Sequence, residues 1–162
     1  MKNGIWIMIA VFGLLLSSCS TNAPISNTSG TEQAEVQGDW PFYTIKEMLD
    51  GKSELIVLAL VDSVTESKDP QIASLIIEET FYGQARGSVI ELYQTTRQVQ
   101  HGQKYLLFLS YREEVGQYVV SDGLSQTEYN NDKLDVKVEG IEGEYTVDQF
   151  IKLMQEQKLL NK

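Results

Sequence analysis

Residues 54–64 read Glu-Leu-Ile-Val-Leu-Ala-Leu-Val-Asp-Ser-Val, and this run constrains the fold more than any other segment of the chain. In an extended chain alternate side chains point to opposite faces. Leu55, Val57, Ala59 and Val61 then share one face, and Ile56, Leu58 and Leu60 share the other. A strand that is apolar on both faces has to be covered on both, either as a central strand or as one backed by a helix. The rest of the chain has to supply those covers.

It supplies mostly strands. Residues 72–82 and 88–96 are rich in Val, Ile, Tyr, Phe and Thr, and turn formers bound both (Asp69-Pro70, Gly83, Arg86-Gly87). Residues 104–111 are the most apolar, and residues 116–121 follow after one short loop, which predicts a hairpin around 112–115. Residues 133–139 alternate cleanly, with Leu134, Val136 and Val138 against Lys133, Asp135, Lys137 and Glu139; a weaker strand is expected at 126–129. Two capping boxes mark helices. Thr44 to Glu47, closed by Gly51, predicts a short helix over 44–50. Thr146 to Gln149 opens an amphipathic helix of about three turns, with Val147, Phe150, Ile151 and Met154 on one stripe. That stripe either covers the sheet or binds a partner.

Six or seven short strands joined by hairpins, with no crossover helices, predict an antiparallel meander rolled into a small barrel. The fold class expected is therefore mainly β: a small antiparallel OB-like barrel of about six strands, with a short N-terminal helix and a C-terminal amphipathic helix. Residues 54–64, 75–83 (Leu-Ile-Ile-Glu-Glu-Thr-Phe-Tyr-Gly) and 102–109 leading into Tyr118-Val119-Val120 resemble the OB-like barrel of netrin-type domains and tissue inhibitors of metalloproteinases. The resemblance spans most of 54–122 and rests on apolar pattern and a few glycines. Those inhibitors use disulfides and a free amino-terminal cysteine that binds the target's zinc. Cys19 is the only cysteine here and lies far ahead of the barrel segments, so the inhibitory mechanism does not transfer.

The amino terminus carries its own message. Lys2 precedes an apolar run over 5–16, and Ser17-Ser18-Cys19 follow. A positive start, a greasy middle too short to span a bilayer, and small residues at a cut are the parts of an export signal. Leu16-Ser17-Ser18-Cys19 resembles the lipobox of bacterial lipoproteins. The resemblance implies cleavage between Ser18 and Cys19 and a diacylglycerol on the Cys19 thiol, with membrane lipid as the partner through that residue. Two acyl chains hold a protein at a bilayer where one gives only marginal, reversible binding. A lone cysteine has no disulfide partner, and lipidation explains its presence.

The domain organisation expected is a signal peptide over 1–18, a lipidated cysteine and flexible tether over 19–38, and a barrel domain with flanking helices over 39–162. Residues 20–38 are mostly Ser, Thr, Asn, Gly, Gln and Glu. Such a composition buries too little surface to order itself, and as a coil it would span about 25 Å. The expected location is the extracytoplasmic face of a cell membrane.

The net charge of −10 becomes one unit more negative once Lys2 is removed, which opposes binding to phosphate backbones, so no nucleic-acid partner is expected. Neither a metal nor a cofactor is expected: residues 130–135 lack the alternating ligands and turn glycine of a calcium loop and read as a polar hairpin turn.

No catalytic set is visible. The one histidine, His101, sits in a polar segment, and Ser125 lacks the glycine pair of a nucleophile elbow. Glu78-Glu79 would face opposite sides of a strand unless a bulge intervened, and Glu113-Glu114 fall in a hairpin. Trp40, Phe42 and Tyr43, just before the first helix, are either a plug for one barrel end or a platform for a sugar or peptide. The expected function is non-enzymatic binding of an envelope protein, peptide or other component. The alternatives are an envelope hydrolase using acidic residues and an assembly lipoprotein that docks through its C-terminal helix.

Overall fold

The computed structural model describes residues 40–67 and 69–160. The expectations for the signal, for Ser18 and Cys19 and for the tether therefore lie outside the described residues. The first element forms as its capping box dictates. The Thr44 hydroxyl accepts from the Glu47 amide at 3.2 Å, and the Glu47 carboxylate accepts from the Thr44 amide at 2.9 Å. These bonds satisfy amide donors that a helix start leaves open. They also hold the Glu47 carboxyl below its ordinary pKa, the backbone bond most of all. Helix α1 (Ile45–Glu47) continues into a wider turn over Met48–Lys52, which Gly51 ends at φ 116°.

Five strands then close a barrel: β1 (Leu55–Val64), β2 (Gln71–Gly83), β3 (Val89–Gln94), β4 (Lys104–Arg112) and β5 (Gln117–Val120). Around the barrel the order is β1-β2-β3-β5-β4 and back to β1. The chain is thus mainly β with a small closed barrel, but the order is not a meander. The two most apolar strands, β1 and β4, pair with each other without a register break, from Leu55 opposite Leu109 to Leu60 opposite Lys104. Strand β5 is tied to β4 by its hairpin and is carried round to β3, where it has to run parallel. That parallel contact is one residue pair, Leu92 with Tyr118. It is the thinnest seam of the wall.

Alternation along each barrel strand sorts the side chains. Leu55, Val57, Ala59 and Val61 of β1 meet Ala73 and Leu75 of β2, Ile90 and Leu92 of β3, Tyr105, Leu107 and Leu109 of β4, and Tyr118 and Val120 of β5. These fill the barrel. The other face of β1 and β4, Ile56, Leu58, Leu106 and Phe108, belongs to a second buried cluster outside it.

The outer cluster is roofed by three further strands, β6 (Gln126–Asn130), β7 (Lys133–Val136) and β8 (Gly143–Tyr145), and by helix α2 (Val147–Leu160). A turn with positive φ at Asn131 and Asp132 joins β6 to β7, as the polar hairpin reading required. The reciprocal bonds of Thr146 and Gln149 start α2, and its Phe150 and Met154 are buried. Phe150 meets Phe81 edge to face at 4.8 Å between ring centroids. The apolar stripe of α2 is thus spent on covering the barrel.

One strand boundary shifts. The alternating strand expected to reach Glu139 ends at Val136, and Val138 is buried from the turn beyond it. Strand β2 also carries register breaks: Ile56 pairs with Tyr82 but Val57 with Thr80, and Leu58 with Glu79 but Ala59 with Ile77. Each skipped residue is a bulge that redirects its neighbours. Consecutive Phe81 and Tyr82 can therefore both reach the outer cluster.

Candidate binding cleft at the open seam

One edge of β4 is shared between two strands. Beyond Phe108 it pairs with β5, and before it with β6. The chain between β5 and β6 leaves the sheet at that division, with Ser121 donating to the Phe108 carbonyl and Phe108 donating to the Ser125 carbonyl, both at 2.9 Å. The turn holds two fully buried polar residues, Asp122 and Ser125. One Asp122 carboxylate oxygen accepts from the Leu124 amide and the Ser125 hydroxyl, each at 2.8 Å. The other accepts from the Tyr43 amide at 2.8 Å. Buried charge is tolerable when its lone pairs are so filled.

The aromatic segment is therefore strapped onto the barrel at this turn. Gly123 allows the close approach, because a β-carbon there would sit 3.1 Å from the Phe42 ring and 3.4 Å from the Trp40 β-carbon. The strap sends its three aromatic residues to three environments. Tyr43 packs on the outer cluster, with the Lys52 ammonium 5.2 Å from its ring centroid. Phe42 is 66% exposed. Trp40, half-buried, packs against the barrel interior and also lines a cleft of about 280 Å³.

That cleft lies where β3 and β5 part beyond their single pair. Trp40, Tyr93, Thr95, Thr96, Arg112 and Val119 are among the residues that line it. Gln94 lines it too and donates at 2.7 Å to the side-chain oxygen of Gln126. Gln126 in turn lines a second cleft of about 320 Å³, which contains Arg97, Thr127, Glu128, Asp135 and Lys137. One lining residue of each cleft thus takes part in the Gln94–Gln126 bridge.

Gln94 has a further task. Its amide nitrogen donates to the Arg97 carbonyl at 3.0 Å, where Arg97 adopts φ 48°. Its oxygen accepts from the Val99 amide at 3.1 Å. Gln71, its partner across β2 and β3, exchanges two bonds with the backbone of the same Val99. This pair of buried glutamines holds the β3–β4 connection over the barrel, with Val99 buried against its interior.

The acidic pairs do not converge. Glu78 sits at a β2 register break, as the bulge proviso anticipated, but it is bound to Lys104 at 2.8 Å; that bond, more than anything else, raises the Lys104 pKa. Glu113 pairs with Arg86 at 3.2 Å, and Arg86 lies 3.4 Å from the Tyr111 ring centroid. Glu128 and Asp135 do share the second cleft; both are exposed, and Asp135 is 2.7 Å from Lys137. Ser125 is buried with its hydroxyl committed to Asp122, and His101 is exposed in the turn before β4.

Of the residues lining the cleft, sequence reading singled out only Trp40. Tyr93 and Arg112 come from β3 and β4, which are not paired with each other, and Arg97 of the second cleft from the connection after β3, so no local spacing announces them. The clustering of Thr95, Thr96 and Arg97 at the end of an apolar strand was the one available hint. Comparison with models of known protein families gives no match, and comparison with curated proteins gives none either.

Proposed function

We propose that this protein is a lipid-tethered extracytoplasmic binding protein that takes an envelope component into the cleft beside Trp40. The reading joins the lipobox-like Leu16-Ser17-Ser18-Cys19 to the barrel. Cleavage after Ser18 leaves Cys19 at the start of the mature chain, two acyl chains fix it to the membrane, and residues 20–38 give the barrel reach. The observation that carries the binding half is Trp40, a large aromatic residue held half-buried at the lip of a cleft of mixed polarity by a strap anchored in a buried carboxylate. An aromatic face with a few placed polar groups is the usual composition of a ligand site.

Two measurements test it. Mass spectrometry of the mature protein should find a diacylated Cys19 at its start, and Cys19→Ala should abolish membrane retention or leave the precursor uncut. A photoreactive residue replacing Thr96 should crosslink to an envelope component in intact cells, and Trp40→Ala should abolish that adduct. An unmodified mature thiol defeats the anchor, and an adduct unchanged by Trp40→Ala defeats the cleft.

A second reading has one observation in its favour. Leu159 and Leu160 at the end of α2 are 71% and 78% exposed, although the stripe behind them is used internally. Docking on a larger assembly through that tip predicts that Leu159→Asp with Leu160→Asp releases the protein from a complex while leaving the barrel folded.

A further inference from the structure

Gln94 of the first cleft and Gln126 of the second are joined at 2.7 Å, so a ligand long enough to cross that bridge would follow one track through both. Each volume is at the small end of the range that holds a compact ligand. A track of two such compartments suits a chain of linked units.

The lining describes the chemistry of those units. Trp40 and Tyr93 offer aromatic faces, Thr95 a hydroxyl group and Gln126 an amide group. The chain carries only three arginines, and two of them, Arg97 and Arg112, stand in the track, one in each compartment. Among the described residues neither makes an ion pair, whereas Arg86 does. On a protein of net charge −10, two unpaired guanidiniums beside aromatic and amide groups are two localised points of positive charge. A guanidinium matches a carboxylate through parallel hydrogen bonds.

The density of negative charge on the ligand is also constrained. Glu128 and Asp135 line the far compartment, and Glu113 and Glu114 follow Arg112 directly. A single-stranded nucleic acid, with a phosphate at every unit, would bring charge against these carboxylates; a chain of neutral rings with spaced carboxylates would not. We infer that the track binds an acidic polysaccharide, with sugar rings against Trp40 and Tyr93 and carboxylates on Arg112 and Arg97. This rests on the reading of the protein as a binding protein and adds the class of ligand.

The test uses the full chain in detergent with Trp6→Phe, which leaves Trp40 as the only indole, since the chain has two tryptophans. A short oligosaccharide in which uronic acid alternates with a neutral sugar should perturb Trp40 fluorescence saturably and bind more weakly as salt rises. Arg112→Gln, an exposed site, should weaken it about tenfold, the size of one lost charge-assisted contact. Arg97→Gln should do the same, with urea unfolding to check that its turn survives; if it does not, Arg112→Gln alone decides. A neutral cello-oligosaccharide of equal length should bind at least about tenfold more weakly. Equal binding of the neutral sugar, no effect of Arg112→Gln, or tighter binding of oligothymidylate overturns the inference. Absence of binding by the alternating acidic oligosaccharide alongside a Trp40-dependent crosslink in cells would sink the ligand class and leave the binding reading standing; loss of both would sink both.

Discussion

The Tyr43 amide donates to the Asp122 carboxylate at 2.8 Å across 79 positions of sequence, and this one bond fixes the aromatic strap at the division of the sheet. It makes Asp122 the residue on which the cleft's geometry depends, although Asp122 does not line the cleft.

Asp122→Ala removes an acceptor shared by the Tyr43 and Leu124 amides and the Ser125 hydroxyl. Leaving such donors buried and unmet costs about 2–4 kcal/mol. Urea unfolding should show that loss, and Trp40 emission should shift to the red as the strap lifts. Asp122→Asn keeps one acceptor oxygen and should fall between the two.

Phe150→Ala empties the centre of the outer cluster, and cavities of that kind cost about 3–5 kcal/mol. Its edge-to-face contact with Phe81 should appear as a coupling of about 0.5–1.5 kcal/mol in a double-mutant cycle with Phe81→Ala, read by chemical denaturation. Additive effects would show that the ring geometry contributes nothing beyond burial.

Tyr105 gives the fold an alkaline limit. Burial pushes its phenol pKa up, and the bond that its oxygen accepts from the Gln100 amide only partly offsets this. The folded state holds this proton more tightly than the unfolded chain. The contribution is therefore complete below the unfolded tyrosine value of about 10 and is lost as pH rises through the folded one. Urea midpoints measured from about pH 8 to 11 should fall more steeply for the wild type than for Tyr105→Phe.

Much of this architecture is legible in the sequence because it is written in local pattern. The doubled apolar character of residues 55–60 announces a strand covered twice, and it is: Val57 faces the barrel and Leu58 the outer cluster. Thr44 with Glu47 and Thr146 with Gln149 mark helix starts by short-range bonds that need no tertiary help. Pairing partners are another matter. Nothing local to Leu55 or Leu109 says that these strands meet, and a meander is the default only because neighbours in sequence usually pair. Strand β8, three residues including a glycine and a glutamate, carries no periodicity at all and exists because Leu134 and Asp135 offer it an edge. The cleft was hidden for the same reason. Trp40 stands out as a large aromatic in a polar neighbourhood, while Arg97 and Arg112 look like ordinary loop residues until the fold places each in a cleft.

Strand β1 is a partition common to two compartments, and that arrangement limits how the protein can come apart. Stripping α2 and β6–β8 from the outside would lay bare Ile56 and Leu58, whose backbones also carry Val57 and Ala59. Loosening the barrel would equally withdraw the floor on which Phe150 rests. Neither half has a wall of its own to retreat to. Heat and denaturant should accordingly meet one indivisible object, melting in a single step whichever compartment a probe watches.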